Sequence, residues 1–157
     1  MKSVLLVLVA FVSVGTVLWA QDVPAAQKIQ FGKEVCAQCG MVIQNSGYAS
    51  EILTLDKKVL KFDDIGDLLK YEGGHADLKV AVVYVQDAKT KAWLKIEDAH
   101  WVKTTAVKTP MGWGYHAFSS DSDAMTFSDK TGGAAITLDD LKASVQGSTA
   151  STPKMKM

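Results

Sequence analysis

Hydrophobic and polar residues alternate over residues 48–62, first in YASEILTLD and then, after two lysines, in VLKF. Alternation with a period of two predicts strands, and two such runs on either side of a short polar turn predict a β-hairpin. The nearly continuous apolar run LKVAVVYVQD predicts another strand. Two shorter runs, KAWLKI and HWVKT, predict further strands around a polar turn at Glu97-Asp98.

The stretch FDDIGDLLKYEGG has helical spacing, since Ile65, Leu68 and Leu69 fall on one face of a helix. Asp63 or Asp64 supplies a cap before the first apolar residue, and the pair of glycines that closes the stretch predicts the end of the helix. The sequence therefore predicts a short, capped helix between the hairpin and the next strand.

The same order recurs later in YHAFSSDSDAMTFSDKTGG, which combines a strand pattern, a capping cluster, a short helix and a double glycine. Three pairs of positions match at a constant offset of 56 residues: Phe62 with Phe118, Asp67 with Asp123, and Tyr71 with Phe127. The run AAIT then predicts a closing strand, and LDDLKASV predicts a last helix with Thr137 as its cap. Internal similarity of this kind favours a duplicated unit, and the whole pattern predicts a compact α+β fold.

The chain begins with Lys2 and an apolar run that continues to Trp19, followed by small residues. These features are typical of a secretory signal peptide, which we place at residues 1–20, with cleavage after Ala20 or a few residues later, near Ala25. A transmembrane anchor is the alternative. However, the run barely reaches the ~18–20 residues that a spanning helix needs, and no basic cluster follows it.

The two ends of the exported chain are predicted to be irregular. Residues 21–34 form an extended lead-in, and residues 147–157 are small and polar and form a disordered tail. Export exposes the thiols to an oxidising environment. No cysteine lies near the cleavage region, so diacylglyceryl anchoring has no acceptor thiol.

Composition narrows the range of functions. The chain has 17 basic and 17 acidic residues and contains no arginine. A nucleic-acid-binding or phosphate-binding protein would normally show a basic patch and the bidentate fork of arginine, so we exclude both partners. No Ser-His-Asp order, paired-carboxylate motif or glycine-rich phosphate loop stands out, and we therefore expect that the protein is not an enzyme.

The candidate chemistry lies in CAQCGM, residues 36–41, which holds both cysteines of the chain. A redox pair of the thioredoxin type would open a helix after a buried strand, but QKIQFGKEV before it is weak and polar, and Gly40 disfavours a helix. A structural zinc site needs four ligands, whereas His75, His100 and His116 are single and widely spaced. A disulfide within the pair would close a tiny loop and stabilise little.

Binding of a soft metal uses every part of this motif. Thiolate and thioether sulfur favour Cu(I) over harder ions. Gly40 lets the chain bend back, so that Cys36, Cys39 and Met41 can bring three sulfur atoms together. The alternative for Met41 is that it fills a gap in the core, as methionine usually does.

A second methionine, Met111, lies in TPMGWGYHAF, directly after a proline and before a glycine. Such a loop position is unusual for a core methionine, whereas Met125 lies within the second predicted helix and is expected in the core. Trp113 would either cover a soft metal or simply pack, and a lone histidine such as His116 is more often structural than a ligand. The candidate metal ligands are Cys36, Cys39, Met41, Met111 and His116.

Four stretches follow one another in an informative order: CAQCGM, KVLKFDDIGDLLKY, PMG before a strand that ends in AF, and DAMTF with its later GG and ITLDDL. In this order they resemble the NosL-type accessory proteins of nitrous oxide reductase over residues 33–142. The resemblance implies a periplasmic Cu(I)-binding metallochaperone that delivers copper to apo-nitrous oxide reductase, alongside copper-handling membrane machinery. It also implies two related ββαβ units, and it places Cys36, Cys39 and Met41 on the cysteine-methionine motif and Met111 on the later methionine.

Typical NosL-type proteins are lipoproteins with a modified cysteine at the signal cleavage site, which this chain lacks, so an exported carrier for another cuproprotein is a second interpretation. We expect an α+β protein with mainly antiparallel sheet, in ββαβ-like units over residues 35–87 and 88–146. It would bind Cu(I) as a monomer or as a homodimer. The alternative functions are a periplasmic thiol-disulfide oxidoreductase and a binding module with structural zinc.

Overall fold

The structure is a computed structural model that describes residues 23–44 and 47–149. The predicted signal peptide, residues 1–20, lies outside the described residues, as do residues 150–157 of the predicted tail. Within the described part of the chain, no helix is long and apolar enough to span a membrane.

The first half of the chain forms a four-stranded antiparallel sheet with a helix inserted between its second and third strands. The strand order is β2-β1-β3-β4. In chain order the elements are β1 (Ser50–Thr54), β2 (Val59–Phe62), α1 (Ile65–Gly74), β3 (Val80–Gln86) and β4 (Trp93–Lys95). The predicted hairpin is confirmed, since β1 and β2 pair with Ser50 opposite Phe62. The predicted third strand is confirmed as β3.

The second half repeats this arrangement in a three-stranded antiparallel sheet with the order β6-β5-β7. A 3₁₀ turn, Ile96–Asp98, precedes it at the predicted polar turn. The elements are β5 (His100–Lys103), β6 (Tyr115–Phe118), α2 (Asp121–Thr131), β7 (Ala134–Ile136) and α3 (Leu138–Thr149).

Both units have the order strand, strand, helix, strand. In both sheets the first strand of the unit lies between its second and third strands. Val59 and Tyr115 begin equivalent strands 56 residues apart, and Ile65 and Asp121 begin equivalent helices at the same offset. The predicted α+β class with two related ββαβ units and mainly antiparallel sheet is confirmed. The strand β4 lies after residue 87 but pairs with β3, so it extends the first sheet.

The caps explain where the helices begin. Asp64 is the N-cap of α1, and its side chain accepts a hydrogen bond from the Gly66 N–H. Ser120 has the same role in α2 through the Asp123 N–H. Thr137 caps α3 as predicted, because its hydroxyl accepts from the Asp140 N–H while the Asp140 carboxylate accepts from the Thr137 N–H.

The main core lies between the two units and combines residues of both sheets, of α1 and of α3. Its members are buried and apolar, for example Ile52, Phe62, Leu68, Trp101 and Leu141. The outer face of the first sheet carries a smaller cluster, Leu53, Val82 and Tyr84, against which Ala26 of the lead-in packs. The lead-in is therefore attached to the sheet.

Two expectations differ from the structure. Met125 lies in α2 as predicted but is 57% exposed, so its assignment to the core was wrong. Each helical step turns by about 100°, and the buried residue of α2 is the preceding Ala124. In addition, α3 continues to Thr149, past Val145, because a helix anchored by a buried face propagates easily by another turn.

Candidate metal centre

The motif CAQCGM forms the tip of a short hairpin, residues 30–43, that precedes the first sheet. Val35 and Val42 form an antiparallel bridge. At the tip the Cys36 N–H donates to the Met41 carbonyl at 2.8 Å, and the Gly40 N–H donates to the Cys36 carbonyl at 3.0 Å. Gly40 has a φ of 74°, a left-handed conformation that favours glycine, so the motif needs this residue to close the turn.

Lys61 of β2 holds this hairpin against the sheet. Its carbonyl accepts the Ala37 N–H at 2.8 Å, and its ammonium lies 2.7 Å from the Glu34 carboxylate. The hydrogen bond from Lys61 lowers the pKa of Glu34. The two cysteines therefore sit on a turn that is fixed both to itself and to the adjacent strand.

Three side chains converge where the hairpin meets the start of α1. One ligand atom each from Cys36, Cys39 and Asp67 lies within 4.8 Å of the others. Cys36 and Asp67 are buried, Cys39 is half-buried, and both cysteines are free thiols. The Cys36 thiol donates to Asp67 Oδ2 over 3.6 Å.

The loop before β6 lies on the same end of α1. The Trp113 indole N–H donates to the other oxygen of Asp67, Oδ1, at 3.0 Å, and the Met111 N–H donates to Asp64 Oδ2 at 2.9 Å. The Trp113 ring packs so closely on Gly66 that an added Cβ would lie 2.1 Å from its Cγ. The second half of the chain is thus attached to the helix that supplies Asp67.

Burial controls the electrostatics of this centre. Removal from water, together with hydrogen bonds to Cys36 and Asp67, raises the pKa of Cys39 to about 12, although a hydrogen bond with the Met41 main chain acts in the opposite direction. Burial also raises the pKa of Asp64. The Cys39 thiol is therefore protonated at neutral pH in the metal-free protein, and a bound metal must displace that proton.

The other predicted ligands occupy different places. Met41 lies on the hairpin and is 46% exposed, and Met111 lies on the loop fixed to Asp64 and is 38% exposed. His116 is fully buried in β6, where its ring contacts Tyr48 and Phe127, and it does not belong to the cysteine cluster.

Asp67 was not among the ligands predicted from the sequence, where it stood out only as a position matched by Asp123. One signal could have identified it: an acid enclosed in the apolar stretch IGDLL, beyond the capping position. A buried acid in such a place needs a hydrogen-bonding partner or an ion. Its partners are a thiol and an indole from distant parts of the chain, which sequence spacing does not reveal.

The donor set suits a soft metal ion. Two thiols at the end of a fixed turn can bind Cu(I), and exposed thioethers on the hairpin and on the neighbouring loop are further soft donors. The carboxylate of Asp67 is a harder donor that already orients the Cys36 thiol. Two thiols and one carboxylate make only three donors, fewer than the four that structural zinc sites use.

Comparisons with known proteins agree with this picture. A family model described as NosL matches residues 28–146. Among solved structures, the chain is similar to the crystal structure of the copper chaperone NosL from Shewanella denitrificans, with a TM-score of 0.65 and 23% sequence identity. The similarity covers 74% of this chain and 96% of that chain. No curated protein matches significantly.

The raised pKa of Cys39 predicts slow alkylation. At pH 8 the fraction of thiolate should be lower by about three orders of magnitude than for a thiol with the ordinary value of 9.0. Mass spectrometry of reduced, metal-free protein treated with iodoacetamide should show slow labelling of Cys39 when folded and fast labelling in guanidinium. Equal rates in the two conditions would contradict the assigned environment.

The contact between Trp113 and Gly66 predicts that Gly66→Ala destabilises the protein by about 1–3 kcal/mol, because the added methyl group overlaps the indole ring. Gly74→Ala, at the other end of α1, is the matched control. No atom lies within 4 Å of its added Cβ, so stability should stay level or rise by up to about 1 kcal/mol. Denaturant unfolding measures the free energy of unfolding of both variants. If Gly66→Ala is as stable as the parent protein, Trp113 does not pack on Gly66.

Proposed function

The chain belongs to the NosL family, and from this membership we propose that it is a copper chaperone that binds Cu(I) and transfers it to a cuproenzyme, nitrous oxide reductase in the first instance. The observation that carries the proposal is the convergence of Cys36, Cys39 and Asp67 beside the Met111 loop. The related crystal structure bears the name of a copper chaperone, which supports the same function here.

In this proposal the two cysteines are the primary ligands. Cu(I) accepts low coordination numbers with soft donors, so two thiolates satisfy most of its requirement. Met41 follows Cys39 on the same turn, and its half-exposed side chain can add a thioether from the hairpin. Met111 can add one from the second unit, since its main chain is fixed to Asp64, the cap of the helix that carries Asp67.

The exposure of these donors supports transfer to a partner. Cys36 is buried, Cys39 is half-buried and the two methionines are exposed. A partner protein can therefore reach the thioethers more easily than the thiols. A thioether is an uncharged, weak donor that completes a Cu(I) site while leaving the ion exchangeable. A partner cysteine or histidine can therefore replace the methionines first, before the thiolates release the ion.

Two other functions receive less support. A thiol-disulfide oxidoreductase activates its cysteine pair commonly at a helix N-terminus, whereas this pair lies in the turn of a hairpin. A structural zinc site needs a fourth protein ligand, which the cluster of Cys36, Cys39 and Asp67 does not supply within the described residues.

The cellular setting belongs to the proposal as well. The apolar leader of the sequence supports export to the periplasm after cleavage of a signal peptide. We propose as partners the apo-reductase, or another cuproprotein, and copper-handling membrane machinery. The protein would act without catalysis, as a monomer or as a homodimer.

The proposal predicts that reduced protein retains about one Cu(I) per chain or per dimer after desalting against a moderate Cu(I) chelator, because its donors are soft. Cys36→Ser and Cys39→Ser should each lose the ion. Oxidation of the pair to a disulfide should also abolish retention, since a disulfide offers no thiolate. Metal analysis with a thiol count measures all of these, and firm retention of zinc without copper would refute the proposal.

Met111→Leu tests the contribution of the loop. The substitution roughly keeps the volume and leaves the main-chain bond to Asp64 intact, so stability should fall by less than about 1.5 kcal/mol. We expect weaker Cu(I) binding or slower transfer to a chelator. Met125→Leu, on the exposed face of α2, is the matched control and should bind normally. Normal binding by Met111→Leu together with a lower melting temperature would make Met111 a packing residue.

A further inference from the structure

Glu51 is an acid in a position of the first sheet that has no access to solvent. It lies in β1, two residues before Leu53, and therefore shares the outer face of the sheet, which the lead-in covers. Its side chain is fully buried, and Oε1 accepts the Gln27 N–H at 2.6 Å. The other oxygen, Oε2, has no hydrogen-bond partner among the residues that the structure describes. Such a group is costly in its ionised form.

The groups around this carboxyl come from every neighbouring element. Lys61 of β2 and Tyr84 of β3 lie directly opposite Glu51 in the register, so their side chains share its face of the sheet. Burial raises the pKa of Glu51, the Gln27 N–H and the charge of Lys61 lower it, and the charge of Glu34 in the hairpin raises it. The raising effects are larger, so Glu51 keeps its proton to a higher pH than an exposed glutamate does.

Lys61 is the cation for which the two acids compete. Its ammonium lies 2.7 Å from the Glu34 carboxylate and donates to the Lys28 carbonyl at 3.1 Å, so it fastens both the hairpin and the lead-in to β2. Only 13% of its side chain is exposed. A neutral Glu51 does not attract this ammonium. An ionised Glu51 is an unpaired charge in the interior, and the cation directly across the strand pair is Lys61.

We propose that Glu51 is a protonation switch that acts on the cysteine-bearing hairpin through Lys61. The neutral carboxyl leaves Lys61 bound to Glu34 and to the lead-in. Loss of the Glu51 proton to solvent draws the ammonium toward Glu51, which weakens both contacts and loosens the attachment of the hairpin to β2. The switch is a property of the metal-free fold, so it goes beyond the proposed transfer of copper and does not depend on it.

The attachment of the hairpin should weaken as the pH rises. Because the pKa of Glu51 in the fold lies above its ordinary value of 4.5, the attached form binds the proton more tightly than a form in which Glu51 is exposed. The contribution of Glu51 to attachment is therefore fully present below pH 4.5 and is lost as the pH rises through its raised pKa.

NMR of the reduced, metal-free full chain tests the switch between about pH 4 and pH 9. The carboxyl ¹³C signal of Glu51 should titrate at a higher pH than that of the exposed Glu97. The Ala37 N–H, which donates to the Lys61 carbonyl, exchanges with solvent when the hairpin leaves β2. Its protection factor, which is corrected for the intrinsic pH dependence of exchange, should fall roughly 2–10-fold with the midpoint of Glu51, about the effect of one hydrogen bond. Equal midpoints for the two glutamates, or constant protection of Ala37, would overturn the proposal.

Variants separate the switch from a general effect of pH. Glu51→Gln keeps an acceptor for the Gln27 N–H but cannot ionise, so the pH-dependent fall in Ala37 protection should disappear. Glu97→Gln, at the exposed glutamate, is the matched control and should keep the fall. Lys61→Met removes the competing cation, and Glu51 should then titrate at a still higher pH. A fall that persists in Glu51→Gln or vanishes in Glu97→Gln, or an unchanged Glu51 midpoint in Lys61→Met, would contradict the switch.

Discussion

The carboxylate of Asp67 connects three distant parts of the chain at one point. It accepts the Cys36 thiol on one oxygen and the Trp113 indole on the other. It stands in the first turn of α1, where the unpaired N–H groups and the helix dipole favour a negative charge. The buried carboxylate of Asp64 binds the Met111 loop in the same way. This pair of acids therefore holds the Cys36 thiol and the Met111 loop at the same end of α1.

The local pattern of the sequence was sufficient for most of the fold. Alternation in YASEILTLD and VLKF led to β1 and β2, and the caps Asp64, Ser120 and Thr137 mark helix starts because capping depends on residues within one turn. Pairing between distant strands was harder to predict. The short β4 joins the first sheet through its register with β3, and no local property of WLK determines which strand it pairs with.

The candidate site was predictable only in part, for the same reason. The two cysteines and the turn-forming glycine lie in one short motif. The local sequence was therefore enough to predict that a turn brings the two thiols together. The contribution of Asp67 depends on a thiol 31 positions earlier and an indole 46 positions later. Met125 shows the opposite error. Its type suggests a core residue, but the orientation of α2 decides its exposure, and that orientation follows from the packing of the whole unit.

The hairpin that carries the cysteines is completed by its own main-chain bonds and by Lys61, and Cys36 itself belongs to the main hydrophobic core. Folding therefore arranges the sulfur atoms before any metal arrives. Small zinc domains differ, because their chains unfold when the ion leaves. Under the proposed function, the ordering entropy of the donors is therefore lost once, during folding, and not in each cycle of loading and release. A carrier built in this way can be reused without repeated refolding, and its empty form keeps the surface that a partner must recognise.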